Sequence, residues 1–244
     1  MIQVDQISKH FGKVQALSNA SFQAHDGRIT GLLGPNGAGK TTALRIIFGL
    51  LACDSGRVSI DGIDPAQQPL AARARMGILT DQFGLYERMS TRENIRYFGQ
   101  LHGMSEQKIQ SNSAELEKML GLQEIMDRRA AGFSQGQRIK VALARAMISQ
   151  PQNVLLDEPT RGLDVMSTRA MRTALLALKA RGCCVVFSSH VMQEVSALCD
   201  DVVVMARGTV VAYGSPQQLC EQAGKADLED AFVSLIGSDE GIAA

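Results

Sequence analysis

Two rhythms of apolar residues run along this chain. Short runs rich in aliphatic and β-branched residues, at 28–33, 154–156, 183–187 and 202–205, read as buried strands, and a stretch of helical period at 168–180 separates the later ones. Strands of this kind alternating with helices predict a mostly parallel sheet covered on both faces. Residues 41–51 follow a glycine-rich turn and read as a helix with an apolar face. Between about 85 and 150 the apolar residues recur at helical spacing through 93–101, 105–120 and 137–148, without a convincing strand. That segment is expected to be a helical subdomain inserted into the α/β core. Residues 57–61, followed by Gly62, read as a strand and turn, which 2–7 and 20–24 are expected to join in an antiparallel patch. The expected organisation is one domain over 1–220, with its α/β core at 1–84 and 151–215 and the helical part at 85–150, followed by a helical tail over 221–244.

Composition narrows the classes of function. At 244 residues the chain can bury one sizeable core. Its 25 basic side chains are matched by 25 acidic ones with no dense Lys/Arg run, so nucleic acid is not an expected partner. Cys53, Cys183, Cys184, Cys199 and Cys220 contain no CxxC pair and no zinc-like spacing, which fits a reduced, cytoplasmic chain. The first residues lack the long apolar core of a secretory signal, and no apolar run approaches the ~20 residues of a spanning helix. A membrane process served by this chain needs another chain to cross the bilayer.

The candidate chemistry lies in two places. Gly34, Pro35, Asn36, Gly37, Ala38, Gly39, Lys40 and Thr41 fit GxxxxGK[ST] between a predicted strand and a predicted helix, with Thr42 next in line. The glycines let successive backbone N–H groups curl toward one point, and the helix N-terminus adds partial positive charge. A triphosphate fits such a cradle, with Lys40 reaching the β- and γ-phosphates and the Thr41 hydroxyl on Mg²⁺. The bland alternative is a glycine-rich turn capping a helix. The run Asn153-Val-Leu-Leu-Asp157-Glu158-Pro159 ends a buried strand on two adjacent carboxylates, a costly arrangement unless a cation or donors receive the charge. Asp157 is expected to hold the metal through water and Glu158 to polarise the attacking water.

With these motifs in place, the chain resembles the ATP-binding-cassette (ABC) ATPases, over residues 1 to about 215 and more weakly at 228–235. Phe133-Ser134-Gln135-Gly136-Gln137 is similar to the family signature, although Ser134 is also a good helix N-cap and Gln135 stands where a second glycine is usual. Thr160-Arg-Gly-Leu-Asp164 resembles the loop that crosses between subunits, and Ser188-Ser189-His190 the switch histidine. The resemblance implies a P-loop NTPase fold that binds ATP and Mg²⁺, with His190 sensing the γ-phosphate. It implies Phe11 stacked on adenine, a loop phenylalanine being the alternative. Either Asp81 or Gln82 occupies the position that links the metal site to the helical subdomain, and the sequence leaves that choice open.

The family's architecture further implies a second copy of the chain, stacked head to tail. Each ATP then lies between the Gly34 loop of one subunit and Ser134, Gly136, Gln137 and Asp164 of the other. A separate multi-spanning permease is the expected partner, holding the subunit at the inner face of the cell membrane. Tyr97-Phe-Gly-Gln-Leu101, Met126-Asp-Arg-Arg129, Gly132-Phe-Ser134 and Phe187 to Val195 resemble the NatA-like branch, the ATPase subunits of sodium-exporting systems. Drug, lipid or peptide export are the alternative cargoes. A soluble ABC-type ATPase acting on ribosomes or nucleic acid is the alternative class, and a nucleotide-gated regulator a third.

Overall fold

In a computed structural model the described residues are 1–80 and 84–237. They form nine strands and nine α-helices among the described residues, in two sheets. The smaller sheet is antiparallel, with β1 (Ile2–Phe11) between β2 (Val14–Ala24) and β4 (Ser55–Ile60). This is the expected antiparallel patch, lengthened into a β1–β2 hairpin whose turn holds Gly12 at φ 58°.

The larger sheet has the order β5-β6-β7-β3-β8-β9. Strands β3 (Ile29–Leu33), β5 (Met76–Leu79), β6 (Asn153–Leu156), β7 (Cys184–Ser189) and β8 (Asp201–Ala206) are parallel, and β9 (Thr209–Gly214) runs back antiparallel to β8. Every residue of β3, β6, β7 and β8 is buried, as strands covered on both faces must be.

Side-chain alternation divides the core between the two faces. Leu32, Leu155, Val186 and Val203 point toward the small sheet and α1 (Lys40–Ile47), where they meet Leu44, Ile47 and Phe48. Leu33, Leu156, Phe187 and Val204 point the other way, toward α5 (Gln135–Met147), α6 (Val165–Ala180), α7 (Met192–Leu198) and α9 (Leu228–Ile236). Among the described residues, the α-helices between β5 and β6 are α3 (Thr91–Leu101), α4 (Glu106–Leu120) and α5, with no strand, as the apolar spacing predicts. Between β4 and β5 lies the short α2 (Pro69–Arg73), and α8 (Pro216–Ala223) precedes α9.

The structure corrects the sequence reading at several places. The helix expected over 41–51 stops at Ile47, because Gly49 at φ 65° closes it: its N–H donates to Ile46 O, and Leu50 N–H reaches back to Arg45 O. This paired closure overrides the apolar period. The apolar pattern predicts neither β5 nor β9. The four residues of β5 are too few for periodicity to separate from helix, and β9 follows a tight turn with Arg207 at φ 47° and Gly208 at φ 76°.

Candidate functional site

Strands β3, β7 and β6 lie side by side and run the same way, so their carboxyl ends open on one edge. That edge of an open α/β sheet is where ligands bind. There the structure gathers the Gly34 loop after β3, Asp157 and Glu158 after β6, and His190 after β7.

Packing sets the shape of the loop. A Cβ on Gly34 would lie 2.3 Å from the Met205 carbonyl oxygen of β8, and one on Gly39 would lie 2.7 Å from Ala16 O. Gly37 and Gly39 have φ of 81° and 100°, values costly for other residues. The amide of Gly208 donates to Ala38 O, pinning the loop to the β8–β9 turn. Gly39 is the N-cap of α1 and offers no side-chain acceptor, in contrast to Ser90, Ser105, Ser134, Asp164, Ser215 and Asp227, which each cap a helix. The first amides of α1, those of Lys40, Thr41 and Thr42, therefore have no acceptor from an N-cap side chain and are available to an anion.

Lys40 is 6% exposed. Its ammonium donates to Gly34 O at 2.6 Å and Pro35 O at 3.1 Å and lies 3.9 Å from Glu158 Oε1. Burial lowers its pKa, against the opposing pull of Glu158 and Asp157. A buried cation short of solvation gains most from a polyanion at hand. Asp157 is 4% exposed, and its Oδ1 accepts from Ser188 Oγ at 2.6 Å and from Thr41 Oγ1 at 3.3 Å. Glu158 holds a left-handed φ of 49°, and its carboxylate lies 2.9 Å from His190 Nδ1. The imidazole is half exposed. Lys40, Thr41, Asp157, Glu158 and His190 thus form one continuous cluster.

The other candidate residues stand apart from it. Among the described residues, Ser134, Gly136, Gln137 and Asp164 make no hydrogen bond to the cluster. Ser134 caps α5 in a reciprocal box with Gln137. Gly136 is buried where a Cβ would lie 2.3 Å from Ser167 Oγ. Asp164 accepts from the Ser167 amide at 2.8 Å, a bond that lowers its pKa, and from Ser167 Oγ at 3.1 Å. The segment at Ser134 and the loop at Asp164 therefore approach each other at Ser167.

Phe11 is 51% exposed at the tip of the β1–β2 hairpin. Asp54 holds this tip by accepting from Lys9 Nζ at 2.7 Å and the His10 amide at 2.6 Å. The Lys9 bond leads the causes that bring the Asp54 carboxyl down to about 2. Asn36 and Gly37 are exposed at the loop's crest. Asp81 and Gln82 lie outside the described residues.

Two contacts at this edge and one in the helical part involve residues to which sequence reasoning gave no role. Ser188 bridges Asp157 and the Glu158 amide. Glu194 accepts from Thr160 Oγ1 at 2.6 Å. Arg145 of α5 donates to Gly84 O at 2.8 Å and stacks over Phe98 at 4.4 Å. Only the position of Ser188 at the polar end of a β-branched run hinted at the first.

Comparison with known proteins gives the family and the fold. The family described as ABC transporter matches residues 17–161. The ABC transporter ATP-binding protein NatA of Bacillus subtilis is 42% identical over 224 residues, covering 91% of each chain. The chain belongs to the ABC transporter ATP-binding family. Linearmycin resistance ATP-binding protein LnrL of the same organism is 31% identical over 92% of this chain and 72% of its own. Among solved structures, an ATP-binding subunit of an ABC transporter superposes with a TM-score of 0.90 at 28% identity, over 97% of this chain and all of that one. A dimeric cassette in a post-hydrolysis state with ADP and Pi gives 0.79 at 25% identity, over 88% of this chain and 98% of that one. The chain has the ABC ATPase fold, binds ATP and hydrolyses it as the ATP-binding subunit of a transporter. No helix among the described residues is long and apolar enough to cross a membrane.

Proposed function

We propose that this chain drives export through a separate multi-spanning permease, as a Mg²⁺-dependent ATPase that works in pairs. The observation that carries the reading is the convergence of Lys40, Thr41, Asp157, Glu158 and His190 at one sheet edge. The Gly34–Thr42 amides cradle the triphosphate, and Lys40 neutralises its β- and γ-oxygens. The Thr41 hydroxyl and Asp157 carboxylate supply the hard oxygen donors suited to Mg²⁺, with either Asp81 or Gln82 as a further candidate. When bound, that ion screens the phosphate charge in the transition state. Glu158 orients the water and accepts its proton, while His190 holds the Glu158 carboxylate and faces the γ-phosphate position.

Phe11 stacks on adenine in this reading. Ser134, Gly136, Gln137 and Asp164 complete the site of a second copy, which accounts for their making no hydrogen bond to the chain's own cluster. The dimeric solved relative supports that arrangement. Peripheral attachment to the inner membrane face follows from docking on the permease.

For the cargo, the sequence stretches shared with the sodium-exporting branch, together with 42% identity to NatA, favour Na⁺ efflux. The relative named for linearmycin resistance favours an organic cargo as the second reading. Flux into inverted vesicles carrying both subunits decides between them. ATP-driven ²²Na⁺ uptake is expected, and ATP-driven movement of an amphipathic drug without Na⁺ flux would replace the sodium reading with the second one. Co-purification with ribosomes or nucleic acid instead of a multi-spanning protein would remove the transporter reading altogether.

A further inference from the structure

Ser188 is the penultimate residue of β7 and lies between β3, where it pairs with Leu32, and β6, where its neighbour Phe187 pairs with Leu156. It is fully buried. A hydroxyl in such a place needs partners, and Ser188 has one of each kind. Its Oγ donates to Asp157 Oδ1 at 2.6 Å and accepts from the Glu158 amide at 2.9 Å. One side chain therefore touches both members of the acidic pair, by the side chain of the first and the backbone of the second.

Each contact meets a specific need. The Asp157 carboxylate can rotate about its χ2 bond, and its Oδ1 is engaged by Ser188 and Thr41 together. Among the described residues no protein group donates to Oδ2, so the two hydroxyls fix which oxygen stays open. Glu158 sits at φ 49°, a left-handed conformation that a residue with a Cβ holds only when its surroundings over-determine it. The bond from its amide to Ser188 Oγ supplies part of that constraint. Further along the same loop, Thr160 is tied to Glu194, so the first residues after β6 are held at two points.

We infer that Ser188 is a positioning residue that sets the geometry of Asp157 and Glu158 together, through a single hydroxyl shared between them. The inference rests on the proposed roles of these two carboxylates. Neither a main-chain group nor a hydrophobic residue at position 188 could make both bonds, because the position needs a donor and an acceptor on one atom. Its loss leaves the Glu158 amide without its buried acceptor and the Asp157 rotamer less defined.

The test compares the wild-type chain with Ser188→Ala, Ser188→Thr and Ser188→Cys. Steady-state phosphate release gives kcat and KM, and electron paramagnetic resonance reads Mn²⁺ affinity in the presence of a non-hydrolysable ATP analogue. For Ser188→Ala, kcat is expected to fall roughly tenfold and Mn²⁺ affinity about fivefold, with KM for ATP within about threefold. Ser188→Thr retains the hydroxyl and is expected to restore both. Should Ser188→Ala not fold, Ser188→Cys keeps the volume with a much weaker donor and is expected to show the same two losses. Wild-type kcat and Mn²⁺ affinity in Ser188→Ala or Ser188→Cys would overturn the inference, as would a folded Ser188→Thr as impaired as Ser188→Ala. An unaltered rate in Glu158→Gln would remove Glu158 as the base, whereas the Mn²⁺ measurement tests Ser188 independently of that role.

Discussion

Glu158 and Lys40 face each other across 3.9 Å, one held in a left-handed turn and the other nearly buried. Neither arrangement favours the folded state. A non-glycine residue in the left-handed region costs about 1–2 kcal/mol, and a desolvated ammonium adds to that cost. Such local expense is found where chemistry requires it. Replacing Glu158 by Gln keeps the size and the left-handed turn but removes the proposed proton acceptor. Turnover is expected to drop by about 10²–10⁴, while ATP affinity by calorimetry stays within about threefold. Lys40→Ala contrasts with it, because the ammonium holds the loop carbonyls and, in the proposed function, neutralises the phosphates, so affinity and turnover should fall together. Near-normal phosphate release by the Glu158 variant would assign the base to another group.

At the scale of elements, the loop before α1 owes its shape to its neighbours more than to its own flexibility. Gly34 is pressed against the backbone of β8, where an added Cβ would sit 2.3 Å from Met205 O. Backbone of a central strand cannot move aside cheaply. Gly37 meets nothing within 4 Å and is costly to replace only through its φ of 81°. Urea denaturation should separate the two causes, with Gly34→Ala losing about 2–4 kcal/mol and Gly37→Ala about 1–2 kcal/mol. Equal losses would mean that close packing against β8 is not what selects Gly34. The helix that follows was legible from its apolar face, but its end was not, since the closure at Gly49 depends on backbone bonds that the apolar pattern does not register.

Across the whole molecule, the cluster at the sheet edge and the segment at Ser134 form two separate groups, joined to neighbouring elements by different contacts. In the proposed function a pair of chains that closes on ATP reconciles them, because γ-phosphate contacts on both sides would favour the closed state and hydrolysis would remove that advantage. Glu158→Gln with ATP and Mg²⁺ is therefore expected to sediment as a dimer, and with ADP as a monomer. Monomer under both conditions would remove the nucleotide-dependent pairing. By itself the sequence determined what is local: the strand and helix rhythms, the glycine spacing before Lys40, two acids at a strand end, and the capping serine at 134. Those features follow from a few neighbouring residues and their backbone geometry. Which strands are neighbours was decided only in three dimensions, where the order β6-β7-β3 brings residues 40, 157, 158, 188 and 190 together from three parts of the chain. The bridging role of Ser188, the wedge of Gly34 against β8 and the contact of Gly136 with Ser167 were likewise settled by packing. Close packing is a property of surfaces distant in sequence, and no local pattern encodes the few tenths of an ångström on which it turns.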